Sequence, residues 1–455
     1  VNITKGSLET QTAKVFSATV RPKRRTVIRY FVLAFLFTIT AINYGDRATL
    51  GIARSNISQD LGLSPVSMGY IFSAFGWAYV INQVPGGWLL DRYGSIRVYG
   101  ISLFAWSLCT LAISGAGHVP QSLAFPVLFF LWAGLGLVEA PAFPANSRIT
   151  SSWFPIGERG LATSIFNSAQ YVAVAFFAPL MGWVTQRLGW EYIFAMMGFL
   201  GVLLAILWLV TMRPPAQHPH VNDAELTYIR EGGALIDIDD KNKKIKHKLT
   251  RQQVQFMLTD RTLLGVYGGQ YCINVILYFF LTWFPSYLHQ ARGLSLTQTG
   301  FAASVPALCG LLGAIVGGAL SDRLLRSGRS ASFARKTPFI VGMGLASTLC
   351  FCNFVQSPLV IIAIMSLAFF GKGVAAIGWA VISDIAPKEV PGLAAGIFNA
   401  IGNVAGIVTP IAVGYIVSLT ASYDGALLFV AVHCIAAILL YLFVVGKIRR
   451  LALPA

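Results

Sequence analysis

Charge is what this sequence has least of. Only 11% of the 455 residues are Asp, Glu, Lys or Arg, and the acids number just 18. Soluble domains carry about 25% charged residues, so a water-facing surface of ordinary size cannot be built from this chain and a soluble globular fold is excluded. Cysteine is equally sparse. Cys109, Cys272, Cys309, Cys350, Cys352 and Cys434 all fall in apolar stretches, where a free thiol behaves as a small buried hydrophobe, so no disulfide framework is expected. The six histidines are scattered, and His218 with His220 do not complete a ligand set. No metal site, cofactor or enzymatic nucleophile paired with a base is indicated.

What is present is hydrophobic length. Apolar residues make up 56% of the chain, and twelve runs approach or exceed the roughly 20 residues that cross a bilayer. They lie near 30–53, 68–90, 97–116, 121–146, 160–186, 189–212, 263–289, 296–321, 337–356, 358–384, 391–420 and 424–446. The expected fold is an all-α membrane protein of twelve transmembrane helices. The net charge of +16 would suit nucleic acid if it were clustered on a soluble face, but its distribution reports topology. Among the 34 Lys and Arg, Arg47 and Lys372 fall within spans, and Arg54, Arg187 and Arg292 fall in loops opposite the N-terminus. The rest occupy the tails and alternate loops, which by the positive-inside rule puts both termini and the long central loop in the cytoplasm. Residues 1–29 then form a cytoplasmic tail without a cleavable signal of their own, insertion using the first span. Residues 30–212 form one six-helix half, 213–262 a central loop, 263–446 the second half and 447–455 a short tail. The loop's Lys241 to Lys248 cluster is expected in water or near anionic lipid headgroups.

The halves repeat each other. A shift of 232 aligns Pro155 with Pro387, Gly160 with Gly392, Leu161 with Leu393, Ala162 with Ala394, and Ile165-Phe166-Asn167 with Ile397-Phe398-Asn399. A shift of 231 aligns Gly86-Gly87-Trp88-Leu89-Leu90-Asp91-Arg92 with Gly317-Gly318-Ala319-Leu320-Ser321-Asp322-Arg323. Two parallel six-helix halves are the arrangement of transporters that rock about a central site. In the motif Gly87-x-x-x-Asp91-Arg92-x-Gly94-x-x-Arg97, glycine permits close helix contact, and Asp91 with its nearby arginines is placed to form a charge lock that breaks on rocking. Asp322 and Arg323 would do the same in the second half; the simpler alternative is that both acids anchor helix ends. With this motif in both halves, the chain resembles the major facilitator superfamily along essentially its whole length.

A census of charges inside the spans leaves Asp46 and Arg47 in the first, Glu139 in the fourth and Lys372 in the tenth, with Asp384 near a helix end. Each costs about 2.5–3.5 kcal/mol near the bilayer centre, so such residues usually line a pathway. Neighbours on a helix point about 100° apart, which gives Asp46 and Arg47 different tasks. Arg47 offers a planar fork for a carboxylate, and Asp46 can exchange a proton. Glu139, in an apolar helix where a fixed charge is expensive, suits a second proton carrier. Lys372, in the opposite half from Arg47, needs an anion of its own: a dianionic substrate would satisfy both, the alternatives being a pair with Glu139 or Asp384 or a reach towards an aqueous cavity.

Polar side chains recur at helical spacing, as along a bundle cavity. Tyr267, Gln270, Tyr271, Asn274 and Tyr278 follow one another on the seventh span; Tyr79, Asn82 and Gln83 lie on the second; Asn167, Gln170 and Tyr171 on the fifth; Asn399 and Asn403 on the eleventh. Such groups fit a polyhydroxy ligand. The stretches Asn43-Tyr44-Gly45-Asp46-Arg47, Phe72-Ser73-Ala74-Phe75, Glu139-Ala140-Pro141-Ala142-Phe143-Pro144, Gly265-Val266-Tyr267 and Ala368-Phe369-Phe370-Gly371-Lys372-Gly373 resemble the anion:cation symporter branch, within it the bacterial hexarate permeases, with similarity to galactonate:proton symporters. That resemblance implies proton coupling at Asp46 and Glu139, and sugar-acid binding at Arg47, Tyr44, Tyr79, Gln170, Gln270, Trp379 and Asn399. It also marks a departure, Trp132, where relatives carry an Arg, so that a cation expected beside Glu139 is missing. The galactonate branch has Asn in place of Lys372, in keeping with a two-ended substrate here. The expected protein is a monomeric, multi-pass inner-membrane symporter importing D-glucarate or galactarate with protons, in contact with membrane lipids and not with nucleic acid. The alternatives are a hexonate symporter and an uncoupled facilitator or exchanger of organic anions.

Overall fold

In the computed structural model, which describes residues 25–239, 250–387 and 391–453, the regular structure is helical. Eleven helices or helix pairs are long and apolar enough to cross a membrane. The second span completes the twelve in two pieces, Pro65–Ile81 and Gln83–Tyr93, divided at Asn82. In chain order the others are Ile28–Asp60, Ser95–Ile113, Gln121–Glu139 with Ala142–Trp153, Ile156–Arg187, Trp190–Thr211, Arg261–Thr282, Leu296–Arg326, Ala331–Ser347, Pro358–Val374 with Gly378–Ile385, Pro391–Asn403 with Ala405–Thr420, and Asp424–Leu439.

The first span runs on to Asp60, beyond the boundary expected near residue 53. Arg54, expected in a loop, is therefore inside the helix and 2% exposed. Interrupted spans follow from local chemistry. Pro141 lacks an N–H and cannot continue the ladder behind Glu139, so the fourth span stops at Glu139 and restarts at Ala142. The tenth pauses between Val374 and Gly378, just after Lys372.

One end of the bundle carries both described chain ends and is called here the terminal end; the opposite is the far end. At the far end the first six spans close against the last six. The fifth span lies along the eighth, and the second along the eleventh. Gly69 and Gly414 set the second approach: a Cβ at Gly69 would stand 2.7 Å from the Pro410 carbonyl oxygen, and one at Gly414 2.8 Å from that of Pro65. Only a residue without a side chain permits this backbone contact. Polar ties reinforce the closure, with Thr297 Oγ1 donating to Gln186 Oε1 at 2.6 Å and Ser304 Oγ to the Ala175 carbonyl at 2.9 Å.

Nearer the terminal end the two sets touch through Asn399 Nδ2 and Gln83 Oε1 at 3.4 Å, and through the rings of Phe143 and Trp379, 6.3 Å apart. Beyond that level, no hydrogen bond or ion pair among the described residues crosses between them. The interior is thus closed at the far end, while Trp379, 40% exposed, stands at an opening towards the terminal end.

The central connection is more structured than its polar composition implied. Asp223–Glu231 is a helix capped by Asn222. The buried Glu225 carboxylate accepts from the backbone N–H groups of Ile28 and Arg29 at 3.2 and 3.3 Å and pairs with the Arg29 guanidinium at 3.1 Å. It thereby caps the first span from a distant segment, where a negative charge complements the helix N-terminus. Arg29, assigned to the tail from sequence, is accordingly a buried helix residue. Leu235 N–H donates to the Ser151 carbonyl and Ile156 N–H to that of Gly232, binding this segment to the first six spans. Residues 448–453 pack instead on the last six, through Leu451 N–H to the Ile385 carbonyl and Ile448 N–H to Ser332 Oγ. The Lys241 to Lys248 cluster and residues 1–24 lie outside the described residues.

Candidate substrate site

Arg47 and Glu139 meet in the middle of the bundle. Arg47 Nε donates to Glu139 Oε1 at 2.7 Å, and Arg47 Nη2 reaches the same oxygen. Glu139 is fully buried, with the Asn43 amide beside its carboxylate. An acid at a helix C-terminus opposes the partial negative charge there, and Glu139 is the last residue of its segment; the guanidinium offsets that placement. Arg47 is further enclosed by the rings of Phe75 at 4.6 Å and of Tyr44 and Tyr79 at 5.1 Å each. Arg47 is thus the cation that Glu139 meets. Trp132 packs on Phe75, which stacks on Tyr79, so an aromatic wall stands where relatives were expected to carry charge.

Asp46 points elsewhere, as the 100° step between neighbours requires. It is 1% exposed, and among the described residues no cation pairs with it, the Trp106 indole being the polar group at its carboxyl. An anion without a cation is among the costliest groups to bury; a proton on Asp46 removes that cost.

Lys372 is 5% exposed and sits in the last turn of its helix segment, where the carbonyl end favours a cation. Its Nζ donates to the Tyr171 hydroxyl at 3.3 Å and lies 4.9 and 5.3 Å from the centroids of Tyr171 and Phe369. No acid among the described residues pairs with it. Neither acid considered as its partner pairs with it, because Glu139 is taken by Arg47 and Asp384 by Arg335 at 2.8 Å. A narrow cavity lies beside this lysine, lined by Tyr44, Gln170, Tyr171, Phe280 and Phe369 among others. It brings the first, fifth, seventh and tenth spans to one place.

The amides form a connected row. Tyr278 hydroxyl donates to Asn403 Oδ1 at 2.8 Å, Asn403 Nδ2 to Asn399 Oδ1 at 3.0 Å, and Asn399 Nδ2 reaches Gln83 across the two sets of spans. Gln270 bonds Asn274 at 3.3 Å on the same side. Tyr271 does not belong to this row. Its ring lies 5.8 Å from that of His433 on the twelfth span, so the structure does not bring it together with these amides. Trp379 stands between Phe143 and Phe398, the second at 5.0 Å.

The charge lock expected around Asp91 has different partners. Asp91 pairs with Arg148 of the fourth span. Arg92 lies over the Trp88 and Tyr93 rings, and Arg97 is exposed. Asp239 from the central connection joins the cluster, bonding Arg148 Nη2 at 3.1 Å and accepting from the Ser95 N–H at 2.8 Å. Gly94, at φ 87°, makes the sharp turn that presents that N–H. In the second half Arg335 gathers Asp322 at 3.8 Å, Asp384 at 2.8 Å and Ser321 at 3.0 Å, while Arg323 is exposed. Arg148, Arg335 and Asp239 had no local spacing to mark them: each closes a contact with an acid or cation 13 to 91 positions away.

Comparison with known proteins follows the same lines. The profile of the Major Facilitator Superfamily matches residues 36–334 and 327–453. The probable galactarate/D-glucarate transporter GudP of Escherichia coli (strain K12) is 54% identical over 95% of this chain and 96% of its own. The protein of that name from Bacillus subtilis (strain 168) is 52% identical over 97% of both. Among solved structures, a bacterial homologue of the human lysosomal transporter Spinster, inward-facing and unoccupied, superposes with a TM-score of 0.72 over 93% of this chain and 98% of its own, at 15% identity. That likeness concerns the fold alone. Matched over nearly its whole length by the family profile and by these relatives, the chain belongs to the major facilitator superfamily and is a multi-pass transport protein of the bacterial inner membrane.

Proposed function

We propose that the protein imports a sugar diacid of the galactarate/D-glucarate type together with protons, by alternating access of its two six-helix halves, residues 30–212 and 263–446, with both termini in the cytoplasm and as a monomer. The observation that carries the substrate class is Lys372: a buried ammonium answered only by a phenol, in the opposite half from Arg47. A carboxylate at each end of the ligand would give both cations an anion, and the Asn399, Asn403, Gln270 and Gln170 amides suit the hydroxyls between. The similarity to probable galactarate/D-glucarate transporters supports the same class.

The coupling reading rests on Arg47, which in this conformation is occupied by Glu139. Substrate and Glu139 then compete for one guanidinium. A proton on Glu139 weakens its hold and leaves the fork to the incoming carboxylate; loss of that proton towards the cytoplasm returns Arg47 to Glu139 and releases the substrate. Asp46, buried without an ion-pair partner among the described residues, carries a second exchangeable proton. The Asp91–Arg148–Asp239 and Asp322–Arg335–Asp384 clusters hold each half's terminal end in register during rocking, with Arg92, Arg97 and Arg323 beside them.

The test is purified protein in liposomes with a pH electrode outside. Adding galactarate must alkalinise the external medium, and galactonate must do so less. Uptake with no pH change would assign an uncoupled facilitator or exchanger instead, and preference for galactonate a hexonate carrier.

A further inference from the structure

A second buried cation without an anion sits at the far end. Arg54 is 2% exposed, and no acid among the described residues pairs with it. Its Nη1 donates to Gln290 Oε1 and to the Tyr423 hydroxyl, both at 3.0 Å, and its guanidinium lies 4.2 Å from the Trp283 ring centroid. Tyr423 in turn donates to the same Gln290 oxygen at 2.9 Å. Arg54 Nε and Trp283 Nε1 are buried donors with no partner. Every group around the guanidinium is neutral, and two donors remain unanswered. A structural cation is ordinarily buried with its acid, because an uncompensated buried charge is costly.

Position explains what the cation is for. Arg54 is seven residues beyond Arg47, two helical turns or about 10 Å along one face of the first span. The two arginines therefore form a ladder from the middle of the bundle towards the far end. Arg54 belongs to the first six spans, whereas Gln290, Tyr423 and Trp283 all belong to the last six. When the halves part at the far end, those neutral groups leave with the opposite half and Arg54 faces the entrance.

We propose that Arg54 is an anion-capture station at the far-side entrance, covered in the closed state by Tyr423 and Gln290, and that one carboxylate of the organic dianion takes their place once the halves have parted, before passing to Arg47. This rests on the transport reading above. The station contributes to the rate and selectivity of entry, as charges along a funnel do, and not to affinity at the central site.

The experiment compares parent, Arg54→Gln, Arg54→Lys and Tyr423→Phe in full-length protein. Galactarate uptake is measured from the far side in liposomes, and equilibrium galactarate binding in detergent. Arg54→Gln is expected to raise the uptake KM at least fivefold at low ionic strength, to change the equilibrium Kd less than twofold, and to lose much of that difference at high salt. Arg54→Lys restores most of the KM, and Tyr423→Phe, which keeps the cation and removes only a cover bond, leaves it near the parent value. An unchanged KM for Arg54→Gln, a parallel rise in KM and Kd, or a Tyr423→Phe effect as large as that of Arg54→Gln overturns the proposal. A parent that neither binds nor carries galactarate overturns the transport reading and this one with it, whereas a transporting parent matched by Arg54→Gln overturns this one alone.

Discussion

At the scale of single residues, the charges inside the spans were readable from composition because each is expensive in an apolar run. Their partners were not. Arg47 and Glu139 are 92 positions apart, and only the approach of the first and fourth spans shows that one neutralises the other. The same holds for Trp132, whose packing on Phe75 between the fourth and second spans no local pattern reports. Two outcomes follow at this scale. Glu139→Gln leaves Arg47 permanently available, so exchange of labelled galactarate across the membrane continues while accumulation driven by a pH gradient falls at least tenfold; undiminished accumulation would remove Glu139 from coupling. Lys372→Asn takes away the anchor for one end of a dianion. Galactarate binding should weaken about tenfold, roughly 1.4 kcal/mol, with galactonate binding changed less than threefold, as measured by competition; equal losses would rule out a two-ended site.

At the scale of elements, span existence and approximate ends were legible from apolar length, and Arg54 shows where this reading stops. An arginine at the edge of a hydrophobic run reads as a loop residue, and nothing local reports that Trp283, Gln290 and Tyr423 bury it. The polar seventh span was partly legible: Gln270, Asn274 and Tyr278 face the amide row, while the Tyr271 ring packs near His433 of the twelfth span, a contact that helical spacing alone does not report. The glycine contact between the second and eleventh spans makes a sharper claim. Gly69→Val places a branched side chain where the Pro410 carbonyl already sits, at a strain of about 1–3 kcal/mol borne mainly by the far-closed state. Maximal uptake should fall by at least tenfold, with a far-side cysteine reporter labelled faster than in the parent; unaltered labelling would show that the contact does not set closure.

For the whole molecule, the sequence repeat pointed to two halves, and helices alone were expected; how they lean on one another was not written in any local pattern. Far-end closure is made by backbone approaches such as Gly414 to Pro65, which leave only a glycine in the sequence as their trace. The docking of the central connection was illegible for a related reason: its polar composition suits water, yet Glu225 is fully buried by what it caps. Glu225→Gln leaves Arg29 with Glu158 as its remaining acid and weakens the cap. Amide hydrogen exchange across Asp223–Glu231 should quicken at least tenfold, while exchange in the last six spans stays unchanged; an unaffected segment would mean that Glu225 does not hold it.

The Glu225–Arg29 contact joins positions 196 residues apart, and both precede the second set of spans. The Asp239–Arg148 contact likewise lies within the first 239 residues. During synthesis, then, the residues that make these two contacts are joined to the chain before the seventh helix is. Since chains fold from the N-terminus as they are translated, the docked segment acts as a closing clasp: it lets the first half reach its finished form and wait in the bilayer for the second.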